Sequence, residues 1–277
     1  MQASAVKHIK MTRVTQMGML ETDDQLAVEE PLEIQVVYGA AGDRITKVIS
    51  VTMRTPGNDE ELAAGFLFTE GIITSREEVA NLQLDGGTGN KVTVMLSESA
   101  TPHLQTAERN FYTTSSCGVC GKAGIDAIKT ISIYAQQNDT MKVNAAVLYR
   151  LPIALKKQQE WFATTGGLHA SSLFDADGNL LLLREDVGRH NALDKLIGAC
   201  FLENHLPLQR TILLLSGRAS FELIQKASMA GIKIIASIGA PSSLALQQAE
   251  EFGMTLIGFL GNEKFNIYSA SHRVVFE

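Results

Sequence analysis

Between Thr211 and Phe259 the chain alternates apolar runs with helical stretches, and this constrains the fold more than any other part. Residues 211–216, 234–237 and 255–259 read as strands. Residues 221–230 and 243–252, each bearing apolar side chains at helical spacing, read as the helices between them. Strand–helix alternation of this kind requires right-handed crossovers, so an α/β fold with a mainly parallel sheet is expected. Upstream, residues 170–174 and 180–184 pair across Asp175-Ala176-Asp177-Gly178-Asn179 as a hairpin, and residues 191–203 form a helix. Residues 147–162 read as a helix broken near Pro152.

The first hundred residues have a different character. Two β-branched runs, 32–37 and 45–53, flank Gly39-Ala40-Ala41-Gly42-Asp43 as a hairpin. Asp59 is placed to cap a helix over residues 60–69, and two strands, 82–84 and 91–96, follow. The expected division is a flexible tail (1–30), a small α+β unit (31–112), a connector (113–143) and an α/β domain (144–277).

With 277 residues, a net charge of -6 and 19% charged residues, the chain is suited to globular folding. The acidic balance argues against a general nucleic-acid or membrane-surface binder. Three cysteines are too few for a disulfide framework and suit a reducing compartment. The first twenty residues lack the apolar core of a signal peptide, and no run is long enough to span a bilayer. A cytoplasmic location is expected.

Two of those cysteines lie in Ser116-Cys117-Gly118-Val119-Cys120-Gly121-Lys122. Paired thiols can form a disulfide, hold a metal or carry sulfur. A nearby lysine and a following helical stretch would lower a thiol pKa, so a reactive thiolate competes with a structural metal half-site. The predicted strand ends carry small and polar residues, Ser216-Gly217-Arg218-Ala219-Ser220 and Ser237 to Ser243. Backbone N–H groups at the following helix starts, with Arg218, would suit an anion. The alternative is ordinary capping by Ser220 and Ser243. In Glu185-Asp186-Val187-Gly188-Arg189-His190-Asn191, Asp186, Arg189 and His190 fit either a pocket lining, the favoured reading, or a buried ion pair. His169 reads as a satisfied core or edge residue. Trp161 and Phe162 are expected in the core, and Cys200 as inert packing.

Taken together, residues 116–122, Thr-Gly-Gly-Leu-His-Ala at 165–170, Glu-Asp-Val-Gly-Arg-His-Asn-Ala-Leu-Asp-Lys at 185–195 and Ser-Gly-Arg-Ala-Ser at 216–220 resemble the FdhD family of formate dehydrogenase accessory sulfurtransferases. The resemblance runs from about Leu32 to the C-terminus. It implies a carrier that takes sulfane sulfur from a cysteine desulfurase and delivers it to the molybdenum bis(molybdopterin guanine dinucleotide) substrate needed by formate dehydrogenase. It further implies Cys117 as the persulfide-bearing residue and Cys120 as the second thiol. The cofactor-binding stretch it implies is Phe259, Leu260, Gly261, Asn262, Glu263 and Lys264, beside Ser216, Arg218, Arg189 and His190. At Gly261 the family pattern implies a basic residue that this chain lacks. A homodimer is implied, as is a cytidine deaminase-like, three-layer αβα domain at residues 144–277. Deaminase chemistry itself is excluded, because His169-Ala170-Ser171 lacks the general-acid Glu and the cysteine pair precedes the histidine. Two rivals stand beside sulfur transfer. One is a non-catalytic cofactor chaperone; the other is a dithiol oxidoreductase, whose Cys-x-x-Cys should open a long helix after a strand.

Overall fold

A computed structural model describes residues 4–87, 89–104, 134 and 140–276. Cys117, Cys120 and most of the expected connector fall outside the described residues.

The chain begins with β1 (Val6–Thr15) and β2 (Gly18–Ala27), an antiparallel hairpin where a flexible tail is expected. Both of its faces are largely exposed, so neither strand shows the apolar alternation that marks a half-buried strand. One of its cross-strand pairs is complementary in charge, Lys10 lying opposite Asp23.

A four-stranded sheet follows, ordered β4-β3-β6-β5, from β3 (Glu30–Tyr38), β4 (Ile45–Arg54), β5 (Val79–Leu84) and β6 (Lys91–Leu96). Helix α1 (Asp59–Thr69) packs on it. Its N-cap is Asn58, not Asp59, because the Asp59 carboxylate is taken by Arg54, at 2.9 and 3.2 Å.

After β7 (Val143–Asn144), the helix expected over 147–162 with a break near Pro152 is broken there and once more at Gln159, giving α2 (Ala145–Leu148), α3 (Leu151–Gln158) and α4 (Glu160–Thr165). Pro152 sits in the first turn of α3, where its missing N–H costs nothing. Then come β8 (His169–Phe174), β9 (Leu180–Asp186), α5 (Arg189–Leu202), β10 (Ile212–Leu215), α6 (Phe221–Met229), β11 (Ile234–Ser237), α7 (Ser243–Glu251) and β12 (Thr255–Gly258). The chain closes with β13 (Asn266–Ser269) and β14 (Val274–Val275), the latter parallel to β7.

The second sheet is ordered β13-β12-β11-β10-β8-β9. Only β10–β11 and β11–β12 are parallel; the β8 hairpin and β13 add antiparallel neighbours, so the sheet is mixed rather than mainly parallel. Its central strands are apolar on both faces. Leu213 and Leu215 enter a core shared with α5, α6 and α7, while Ile212 and Leu214 face α2 and α3. That covering on both sides explains why these strands read as unbroken hydrophobic runs.

One apolar core runs from Leu32 and Ile34 of β3 through Leu62 and Leu67 of α1 to Leu193 and Ile197 of α5. The two sheets are thus joined by a helical layer. At its centre α1 crosses α5 backbone to backbone: a Cβ at Gly65 would lie 1.9 Å from the Asp194 carbonyl oxygen, and one at Gly198 1.8 Å from that of Glu61. No larger residue fits either position.

Candidate functional site

The 185–195 run leaves β9 and enters α5, and its polar side chains mostly turn inward. The Asp186 carboxylate is fully buried and accepts from Lys195 Nζ at 2.7 Å, Thr55 N at 3.1 Å, Gly188 N at 2.8 Å and Asn191 Nδ2 at 3.1 Å. Lys195, equally buried, also donates to the Thr55 carbonyl at 2.8 Å. Asn191 donates to the Met53 carbonyl, and Asp194 accepts from Thr69 and pairs with Lys226 at 3.0 Å. Burial pushes the Asp186 and Asp194 carboxyls up, and the facing ammonium groups oppose it. These residues bind residues 52–69 to α5. Asp186 is therefore the buried ion pair rather than part of a pocket lining.

Glu185 has a different task. Its buried carboxylate accepts the N–H groups of Trp161 at 3.2 Å and Phe162 at 3.0 Å, fixing α4 to the end of β9. Burial raises its pKa, and those N–H bonds, with the Gln159 side chain, draw it back.

At the carboxyl ends of β10, β11 and β12 lies an open cavity of about 880 Å³. In open α/β sheets ligands bind in the crevice outside the carboxyl ends of the strands, which is this edge. Ser216, Ile238 and Asn262 line it from the strand-end loops, and His169 from the start of β8. Opposite them stand Ile153, Lys156 and Lys157 of α3 and Phe162 of α4. Among the described residues the lining holds two lysines and no carboxylate.

The loops beneath the cavity are laddered to one another. Gly239 donates to the Gly217 carbonyl at 3.0 Å, Phe259 to that of Gly239 at 3.1 Å, and Leu260 to that of Ser237 at 3.0 Å. Those N–H groups are satisfied by neighbouring loops and are not free for an anion. Ser242, not Ser243, caps α7, through Ala245 N at 3.2 Å. Ser220 makes no cap bond to α6. Its hydroxyl faces His190 Nε2 at 3.4 Å, with Glu222 3.7 Å from the same nitrogen. Burial works against ionisation of Glu222, yet bonds from His190, its own N–H and Ser220 hold its pKa at about 2. An ionised carboxylate therefore already occupies the first turn of α6, which disfavours a phosphate there.

His169 is half-buried against Gly217, where a Cβ would lie 3.3 Å from Nδ1. Burial, then the nearby Arg189 and His190, lower its pKa, leaving the imidazole neutral near pH 7. It thus joins the cavity wall rather than the core.

Of the other residues expected here, Ser216 and Asn262 line the cavity. Phe259 beside them is half-exposed with φ 53°, an unusual conformation for an aromatic residue. Leu260 is buried, and Gly261 donates to the Lys264 carbonyl at 3.0 Å, closing a turn that exposes Asn262, Glu263 and Lys264. Arg218 is exposed beside Gly239. His190 is held by Ser220 and Glu222. Phe162, expected in the core, stands on the cavity wall, 39% exposed. Lys156 and Lys157 were not singled out by motif. Their signal is a basic pair closing an acid-free helix in a chain of net charge -6.

Residues 27–275 match the FdhD/NarQ family. A protein named sulfur carrier protein FdhD from Mycolicibacterium paratuberculosis is 49% identical over 96% of this chain and 97% of its own length. Another of that name from Sulfurisphaera tokodaii is 42% identical, covering 98% and 99%. The crystal structure of a protein described as a formate dehydrogenase accessory protein from Desulfotalea psychrophila superposes with a TM-score of 0.74. It is 24% identical, over 98% of this chain and all of that one, and this likeness speaks to the fold. From the match over residues 27–275 and the identity to these full-length relatives, the chain belongs to the FdhD/NarQ family.

Proposed function

We propose that this protein is a sulfur carrier in formate dehydrogenase maturation, accepting sulfane sulfur from a cysteine desulfurase and passing it to molybdenum bis(molybdopterin guanine dinucleotide). Family membership and the names of the full-length relatives support the carrier role. The observation that carries the acceptor side is the cavity: strand-end position, apolar walls and, among its described lining residues, two lysines and no acid, which suit a large anionic ring compound.

In this reading the Cys117 thiolate attacks the outer sulfur of the desulfurase persulfide. The donor's S–S bond breaks, the donor cysteine leaves as thiolate, and Cys117 holds the persulfide. Cys120 then attacks the Cys117 sulfur. A Cys117–Cys120 disulfide forms and the outer sulfur departs as hydrosulfide to the molybdenum substrate. A cellular dithiol reduces the disulfide for the next round. Asn262, Lys264, Ser216 and Arg218 hold the nucleotide end. Arg189 and His190, at the start of α5, are read as part of the same cofactor-binding set. We assign the protein to the cytoplasm as a homodimer. Residues 144–277 are read as a cytidine deaminase-like three-layer domain, supported by helices on both faces of the six-stranded sheet.

Mass spectrometry after incubation with a desulfurase and cysteine should find 32 Da, one sulfur atom, added at Cys117. A C117A variant that still loads sulfur and activates formate dehydrogenase would refute the mechanism. If both cysteine variants stay active, the protein is a chaperone for the dinucleotide instead.

A further inference from the structure

We infer that Lys156 and Lys157 of α3, with Phe162 of α4, are specificity-determining residues that read the diphosphate and an adjoining ring of the acceptor substrate. This rests on the proposed function and adds a second wall to its site.

Three observations carry the assignment. First, Leu151 and Leu155 are buried in the core beneath the sheet, so α3 is anchored, and its last turn brings both lysines to the cavity. Second, no carboxylate stands among the described lining residues, the neighbouring acid of α4, Glu160, lying outside the lining, so a bound anion would meet two ammonium groups there. Third, α4 is held by the Glu185 carboxylate at the two N–H groups of Trp161 and Phe162, which fixes the Phe162 backbone on the wall. Phe162 and Ile153 face the cavity beside the lysines, with Ile238 opposite, and are 39%, 44% and 39% exposed. Apolar surface of that kind suits the face of a flat heterocycle. Charge and ring surface lie side by side, as a nucleoside diphosphate presents them. Lys156 and Lys157 are thus placed to meet the phosphate charge, and Glu185 acts as a positioning residue for the ring contact.

The test is calorimetric titration of the full chain with GDP, GMP and guanosine at two salt concentrations. Wild type should prefer GDP to GMP and GMP to guanosine. K156A/K157A should lose about tenfold in GDP affinity, with a shallower salt dependence and unchanged guanosine binding. K156R/K157R should recover most of the loss. F162A should weaken GDP and guanosine by the same factor. Wild-type GDP affinity in K156A/K157A would overturn the inference and leave the sulfur-carrier reading intact. Absence of any guanine-nucleotide binding by wild type would overturn the proposed acceptor, and this inference with it.

Discussion

Replacing Asp186 with Asn should destabilise the whole fold and not merely one loop. Asn keeps the shape but turns one oxygen into a donor, which at Oδ2 confronts both Lys195 Nζ and the Thr55 N–H, 2.7 and 3.1 Å away, and at Oδ1 the Gly188 N–H and Asn191 Nδ2, 2.8 and 3.1 Å away. Lys195 has no exposed surface and would be left with the Thr55 carbonyl alone. Breaking one partner of a buried ion pair costs about 3–5 kcal/mol, because the survivor stays desolvated and unpaired. Set against a typical stability of about 5–15 kcal/mol, that is a large share. K195M should cost less, since a neutralised Asp186 still accepts from Gly188 and Asn191. D186L/K195M should recover most of the loss, because an apolar pair of similar volume removes both desolvation terms. The assay is urea unfolding followed by the fluorescence of Trp161, the single tryptophan, and by far-ultraviolet circular dichroism. Single variants each within 1 kcal/mol of wild type would refute the reasoning. So would a D186L/K195M protein that folds normally but no longer transfers sulfur, since that outcome returns Asp186 to the chemistry.

Other expectations follow from the same contacts. G198A places a Cβ 1.8 Å from the Glu61 carbonyl oxygen, so α1 and α5 must separate; a loss of about 3 kcal/mol, or failure to fold, should show in thermal melts. The Glu222 pKa is depressed from 4.5 to about 2, so its contribution is complete above pH 4.5 and is lost as pH falls towards 2. Acid titration of E222Q should therefore show a flatter stability profile across that window. Burial pushes the Cys200 thiol to about 11, so alkylation at pH 8 should leave it unmodified until urea unfolds the chain.

Much of the architecture was legible because it is local. Strand 234–237 and the helices about it follow from apolar runs and turn residues within one window. What failed to show depends on partners far along the chain. The hairpin at residues 6–27 buries almost nothing, so it lacks the periodicity that reveals strands. Gly65 and Gly198 read separately as weak points in two helices, and only their crossing shows why each is needed. The antiparallel setting of β8 against β10 cannot be seen in either strand, and it turns an expected parallel sheet into a mixed one.

The division of charge explains why residue type misled at Asp186 and passed over Lys156. A carboxylate, a guanidinium and an imidazole in one short run suggest chemistry, yet what an ionised group can do depends on whether its partner is already supplied. Asp186, Asp194, Lys195 and Lys226 meet partners from the other sheet's segment, at residues 55 and 69–70, and are buried with them. Such charges are spent on joining the two sheets, and a ligand would have to compete with covalently tethered partners at far higher effective concentration. Lys156 and Lys157 are exposed, and no carboxylate stands among the described residues lining the cavity with them, so a contact there competes with no ion pair seen among the described residues. Ligand recognition in this fold should therefore concentrate on the exposed α3–α4 wall and the 259–264 turn. Substitutions within 186–195 should act mainly by loosening the platform that holds those two walls apart.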